Sequence, residues 1–173
     1  MANDIELIES FYKQLGEELR NFTLPAARLI EILDFLEYER VDRDIAGIGG
    51  LVRGHILFLV IKKMYQGRGL GQSLLYRVLQ RAMERNYSYI QLSVAKANLV
   101  AIHLYNKHGF KIISSMKVDG NDSYYMIKPL SFRGYPFMLK QIFSSRLLKL
   151  IPHRLIITLK FIRDTLITFS TKK

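Results

Sequence analysis

The sequence predicts a mixed α/β (α+β) domain, helices packed on a sheet, followed by a basic helical extension. Three observations carry this. HILFLVI (55–61) is an almost unbroken apolar, β-rich run that leads through a glycine-rich loop into the cleanest amphipathic helix of the chain. A second strand-then-helix pair occupies 89–108, and a hairpin follows over 110–130; strand and helix patterns in that order are the mark of helices laid on a sheet. The third is charge. The net charge is +11, yet residues 131–173 hold 9 basic residues and one acidic residue (Asp164), so most of the excess lies in that segment.

The elements follow in chain order. Ile5, Ile8, Phe11, Tyr12, Leu15 and Leu19 recur at threes and fours, which predicts an amphipathic helix over 4–20. A second helix is expected from Pro25, with the proline in its first turn, to about Phe35. LEYERVDR (36–43) alternates, and Asp42-Arg43-Asp44 reads as a turn. In IAGIGGLV (45–52), a short strand, Gly47, Gly49 and Gly50 mark close backbone approach or a bulge. The run 55–61 is apolar enough to be covered on both faces. From Leu70 to Arg85 an apolar stripe runs through Leu74, Leu75, Val78, Leu79 and Ala82, and Asn86 suits a left-handed stop. YIQLSV (89–94) is a strand; Asn98 can cap a helix from Leu99 to His108, ended by Gly109. FKIISSMKV (110–118) and SYYMIKPL (123–130) flank Asp119-Gly120-Asn121-Asp122, a strong hairpin signal.

Composition excludes several classes. A chain of 173 residues with 49% apolar and 24% charged residues suits one globular domain rather than a disordered or collagen-like chain. No cysteine is present, so disulfides, Cys-ligated metal and a Cys nucleophile are excluded, in keeping with a reducing, cytoplasmic setting. The opening MANDIELIES lacks the pattern of a secretory signal, and no uncharged apolar stretch nears the roughly 20 residues of a spanning helix. Four scattered histidines give no metal-ligand spacing, so no metal is expected.

Gln66-Gly67-Arg68-Gly69-Leu70-Gly71 lies between the apolar strand and the best helix. A helix start offers free N–H groups and partial positive charge, and glycines allow close approach, which together suit a phosphate. Lys62, Lys63 and Arg68 add charge. A ligand-free strand-to-helix turn has the same composition. The spacing is neither G-x-G-x-x-G nor a Walker loop.

VIKKMYQGRGLGQSLL resembles the coenzyme A loop of the GNAT superfamily of N-acetyltransferases, Q/R-x-x-G-x-G/A, with Gln66, Gly69 and Gly71 in the patterned positions. LSVAKANLVAIHLYNKHGF is similar to the family's later motif through Asn98, Ala101, Tyr105, Gly109 and Phe110. The resemblance covers residues 40–130 well, the N-terminal helices loosely and 131–173 not at all. It implies a mixed sheet splayed at its centre and acetyl-CoA as co-substrate. The pyrophosphate would lie on the amides of Gln66, Gly67, Arg68, Gly69, Leu70 and Gly71, with Gln72 and Ser73 in the following turn. The pantetheine arm would lie between strands 55–61 and 89–94 on the Ile61 amide, and a strand N–H would hold the oxyanion. Tyr105 is the implied general acid, since a phenol with pKa near 10 is protonated at pH 7; a half-buried helix tyrosine is the plainer role. Asn98 would contact cofactor or substrate, cap its helix, or both.

No carboxylate stands between Asp44 and Glu84, so the general base is not evident; His55 is the nearest candidate, and a strand-end histidine facing solvent is its alternative. The implied activity is transfer of acetyl from acetyl-CoA to a primary amine of a small molecule such as an amino sugar. Alternatives are a protein N-terminal or lysine acetyltransferase and a non-catalytic acyl-CoA sensor.

The domain is thus expected over 1–130 and the extension over 131–173. Leu139, Ile142, Phe143, Leu147, Leu150 and Ile151 form one stripe before Pro152, and Leu155, Leu159, Ile162, Leu166 and Phe169 a second, predicting two basic amphipathic helices over 136–151 and 153–169. They suit an anionic membrane surface, which would make the protein peripheral at the inner face of the membrane, or packing on the domain or a second copy. No motif supports nucleic acid.

Overall fold

The elements form where the apolar periodicity places them: α1 (Ala2–Leu15), α2 (Ala26–Ile32), β1 (Phe35–Val41), β2 (Asp44–Val52), β3 (His55–Ile61), α3 (Leu70–Glu84), β4 (Tyr89–Ala95), α4 (Leu99–Lys107), β5 (Lys111–Val118), β6 (Asn121–Pro129) and α5 (Gly134–Leu147). They come from a computed structural model that describes residues 2–15, 26–118 and 120–147. The strands make one six-stranded sheet in the order β1-β2-β3-β4-β6-β5. All neighbours are antiparallel except β3 and β4, which run parallel across the α3 crossover.

Helices cover both faces. On one, Leu75, Val78, Leu79 and Ala82 of α3 and Tyr105 of α4 bury Ile56, Ile90, Leu92, Val94 and Met126. On the other, Ile8 and Phe11 of α1 and Ala26 and Leu29 of α2 bury Ile48 and Phe58. The β2 glycines answer to this packing. A Cβ on Gly47 would stand 2.3 Å from Ile61 Cδ1 and 2.8 Å from the Val60 carbonyl oxygen, so glycine is required for the close approach there.

The second helix and the β2–β3 turn differ from expectation, each for a reason visible in the contacts. The second helix stops at Ile32, because Phe35 already pairs with Leu51 in the sheet. The end of the first expected helix, 16–20, lies outside the described residues. The β2–β3 hairpin turns on Arg53-Gly54, both at positive φ (47° and 78°), as a two-residue hairpin turn requires. The Asp34 carboxylate fastens it, accepting from the Arg53 N–H and, at 2.6 Å, from the Tyr87 hydroxyl.

The start of the basic segment lies on the sheet. Phe137 of α5 stacks on Tyr89 at 3.9 Å and 8°. A Cβ on Gly134 would meet the Ser88 carbonyl oxygen at 2.0 Å, so only glycine allows this seating. Leu139, assigned by the sequence to the apolar stripe, is 48% exposed, whereas Phe137 packs. The second expected helix, 153–169, lies outside the described residues.

Candidate active site

β3 and β4 pair over only two rungs, His55 with Gln91 and Ile56 with Leu92, although β3 continues to Ile61 and β4 to Ala95. The parting begins at an irregularity. Gly50 pairs with Phe58 and Leu51 with Ile56, so Leu57 is an extra residue in β3, a β-bulge. Leu57 and Phe58 consecutively pack toward α1 and α2, while Ile56 and Leu59 pack toward α3. A bulge bends its strand, which accounts for the divergence. Instead of being covered on both faces, Leu57, Leu59 and Val60 are half-buried along the opening.

The gap has donors. The Lys62 N–H donates to the Ala46 carbonyl at 2.8 Å, toward β2. Strand alternation turns the Leu59 and Ile61 amides the other way, into the gap. Beyond β3 come a short 3₁₀ turn, Lys63–Tyr65, and the glycine loop. Gly67 and Gly69 take φ of 76° and 81°, and Gly69 is the N-cap of α3 with no side-chain cap. A Cβ at either would meet nothing within 4 Å, so the loop's glycines serve conformation and open access rather than packing. The first amides of α3 therefore face an accessible concavity with the positive end of the helix dipole behind them.

The named residues divide into fasteners and free groups. The Gln66 side chain donates to the Ile61 carbonyl at 2.9 Å and its N–H to the Lys63 carbonyl at 3.2 Å, tying the loop to the end of β3. Arg68 is exposed and lies over the Tyr65 ring at 5.6 Å. Lys62, counted from the sequence as charge for the loop, is instead buried and paired with Asp44 at 2.7 Å; this bond, foremost, lowers the Asp44 pKa. Leu70 and Gly71 are half-buried at the helix start. Gly69, Gln72, Ser73, Tyr76 and His108 line an open groove of about 410 Å³ between the start of α3 and the end of α4. Lys107 donates to Gln72 across it at 3.2 Å. Tyr76, Lys107 and His108 were missed by sequence reasoning, because only the fold brings the two helix ends together.

Asn98 caps α4, its Oδ1 accepting from the Ala101 N–H at 3.0 Å. Tyr105 is 8% exposed among Leu75, Leu92 and Val94, edge-on to Phe110 at 5.6 Å. Burial pushes its phenol up to about 12, so it stays protonated. His55 is half-buried on the first of the two rungs, one residue before the last pair; desolvation lowers its pKa below the ordinary 6.5, so the imidazole is neutral at pH 7. Among the described residues no group of acidic or histidine side chains could hold a metal ion.

Comparisons with known proteins agree with this geometry. Residues 26–110 match the model of the acetyltransferase (GNAT) family. An N-alpha-acetyltransferase of Sulfurisphaera tokodaii is 34% identical over 83 residues, 45% of this chain and 49% of that one. The chain spans about half the length of the curated relatives it matches. A GNAT-family acetyltransferase structure from Streptococcus pneumoniae is 33% identical with a TM-score of 0.50, covering 54% of this chain and 65% of that one. The ribosomal-protein-S18-alanine N-acetyltransferase of Escherichia coli shares the fold: TM-score 0.54, 21% identity, 64% of this chain and 81% of the other. A sheet parted at a bulge, a glycine loop opening α3 and a family match across both thus lead to one conclusion: residues 26–110 form a domain of the GNAT acetyltransferase family.

Proposed function

We propose that the protein transfers the acetyl group of acetyl-CoA to the N-terminal amine of a peptide or protein. The observation that carries the transferase reading is the parting of β3 and β4 directly before the glycine loop. The pyrophosphate lies on the amides of 67–71, with Ser73 and Arg68 beside it. The pantetheine follows the Ile61 amide, and the thioester carbonyl meets the Leu59 N–H.

The amine nitrogen attacks the thioester carbon. A C–N bond forms, the Leu59 N–H holds the oxyanion, and collapse breaks the C–S bond. His55, neutral at pH 7, takes a proton from the attacking nitrogen; Tyr105 gives one to the leaving thiolate. The products are the N-acetyl compound and coenzyme A, and solvent restores both side chains. An N-terminal amine is preferred to an amino sugar because four of the matched curated relatives are named N-alpha-acetyltransferases.

The basic segment 131–173 adds a location: an anionic membrane surface, approached from outside the bilayer. No helix among the described residues is long and apolar enough to cross a membrane. Release of free thiol from acetyl-CoA with a peptide acceptor tests the activity, with glucosamine as the rival acceptor. A faster reaction with glucosamine would reverse the choice of acceptor, and calorimetry without acetyl-CoA binding would end the transferase reading. Flotation of the full chain with phosphatidylserine vesicles tests the location.

A further inference from the structure

The face opposite the cofactor helices carries a polar pair that the chemistry above does not use. Ile90, Leu92 and Val94 point toward α3 and α4, so alternation sends Tyr89, Gln91 and Ser93 to the other face. Tyr89 packs there under α5, and α1 with α2 cover Ile48, Leu57, Phe58 and Val60 further along. Between these covers lies a half-buried strip with His55, Gln91 and Tyr125. The Tyr125 hydroxyl donates to Gln91 Oε1. Gln91 is also the register partner of His55, one rung before the last pair, Ile56 with Leu92, after which the strands part. The Tyr125 hydroxyl thereby engages its oxygen and sets its orientation, leaving the amide N–H groups as donors one rung short of the gap.

We propose that Gln91, held by Tyr125, determines acceptor specificity by donating a hydrogen bond to the first carbonyl of a peptide whose terminal amine is being acetylated. The inference rests on the transferase reading and refines it. Charge on this strip points the same way. His55–Ile61 of β3, Tyr89–Ala95 of β4 and residues 123–129 of β6 contain no carboxylate. A second cationic amine of a polyamine or aminoglycoside finds no counter-charge on these stretches, the one carboxylate of β6, Asp122, standing at the far end of that strand, whereas a neutral peptide carbonyl finds a fixed donor.

The test compares two acceptors, an alanine-initiated tetrapeptide amide and n-butylamine, which has no carbonyl, on the full chain and two variants. Gln91→Glu keeps an acceptor for the Tyr125 hydroxyl but has no N–H; Tyr125→Phe frees the Gln91 side chain. Expected for Gln91→Glu is a rise of about tenfold in KM for the peptide, the size of one neutral hydrogen bond. The KM for acetyl-CoA remains unchanged, and the kcat/KM for butylamine does not fall. Tyr125→Phe moves in the same direction by a smaller factor. Equal losses on both acceptors, or an unchanged peptide KM, overturn the proposal. A wild-type chain that binds acetyl-CoA yet prefers butylamine to the peptide overturns it as well. Failure to bind acetyl-CoA ends the transferase reading itself and is thereby distinguished. An altered acetyl-CoA KM in Gln91→Glu identifies a merely structural side chain and counts against the proposal.

Discussion

The two faces of the sheet are built by different rules. The α3/α4 face uses residues near one another in sequence: a strand end, a glycine loop and a helix start within Ile61–Ser73. The α1/α2/α5 face gathers His55, Gln91 and Tyr125 from three strands, roofed by helices from the two ends of the described chain. On the proposed reading, backbone amides would do most of the holding on the first face and side chains on the second. A cofactor site of that kind is written locally in glycines, whereas the proposed acceptor contact depends on the assembled tertiary structure.

Substitutions can break that division. Tyr105→Phe should have the largest effect, a fall in kcat on the order of 10²–10⁴ with acetyl-CoA affinity unchanged, read by steady-state kinetics beside calorimetry. The apolar ring remains packed on Phe110, so thermal stability should be retained. His55→Gln should cost about 10² in kcat/KM and remove the acid limb of the pH profile. In the wild type that limb lies below pH 6.5, because burial lowers the folded pKa. The sign extends to folding: as pH falls past 6.5 the unfolded chain binds this proton first, so the contribution to stability is full above 6.5 and declines toward the folded pKa, as pH-dependent melting would detect. Gly69→Ala should act on the cofactor face alone. An alanine at φ 81° costs about 1–2 kcal/mol, so acetyl-CoA should bind roughly tenfold weaker while the peptide KM is unchanged.

Much of the fold was legible because its signals are local. Asn86 at φ 61°, Gly109 at φ 82° and the Asn98 cap all do what their residue types foretold. The Arg53-Gly54 turn was not read, since arginine is an unusual residue at positive φ and its support comes from Asp34, far along the chain. The β2 glycines mark close approach or a bulge, and Gly47 serves the first; the extra residue of the bulge is Leu57 in β3, an ordinary leucine by composition, which register between strands alone reveals. Likewise, Lys62 looked available to a phosphate until the fold placed Asp44 against it. The glycine loop could be read from its spacing, whereas the Gln91–Tyr125 pair leaves no trace in either strand alone.

The surplus leucine in β3 has a further consequence. Because Leu57 and Phe58 both lean toward α1 and α2, deleting Leu57 would leave the orientation of every residue from Phe58 onward intact. The straightened strand could then zip to β4 along its whole length, satisfying the amides of Leu59 and Ile61 with carbonyls instead of a substrate. The shortened protein would melt higher and, on the proposed reading, lose its activity: the opening between β3 and β4 is a sheet kept, by one misfit, from finishing itself.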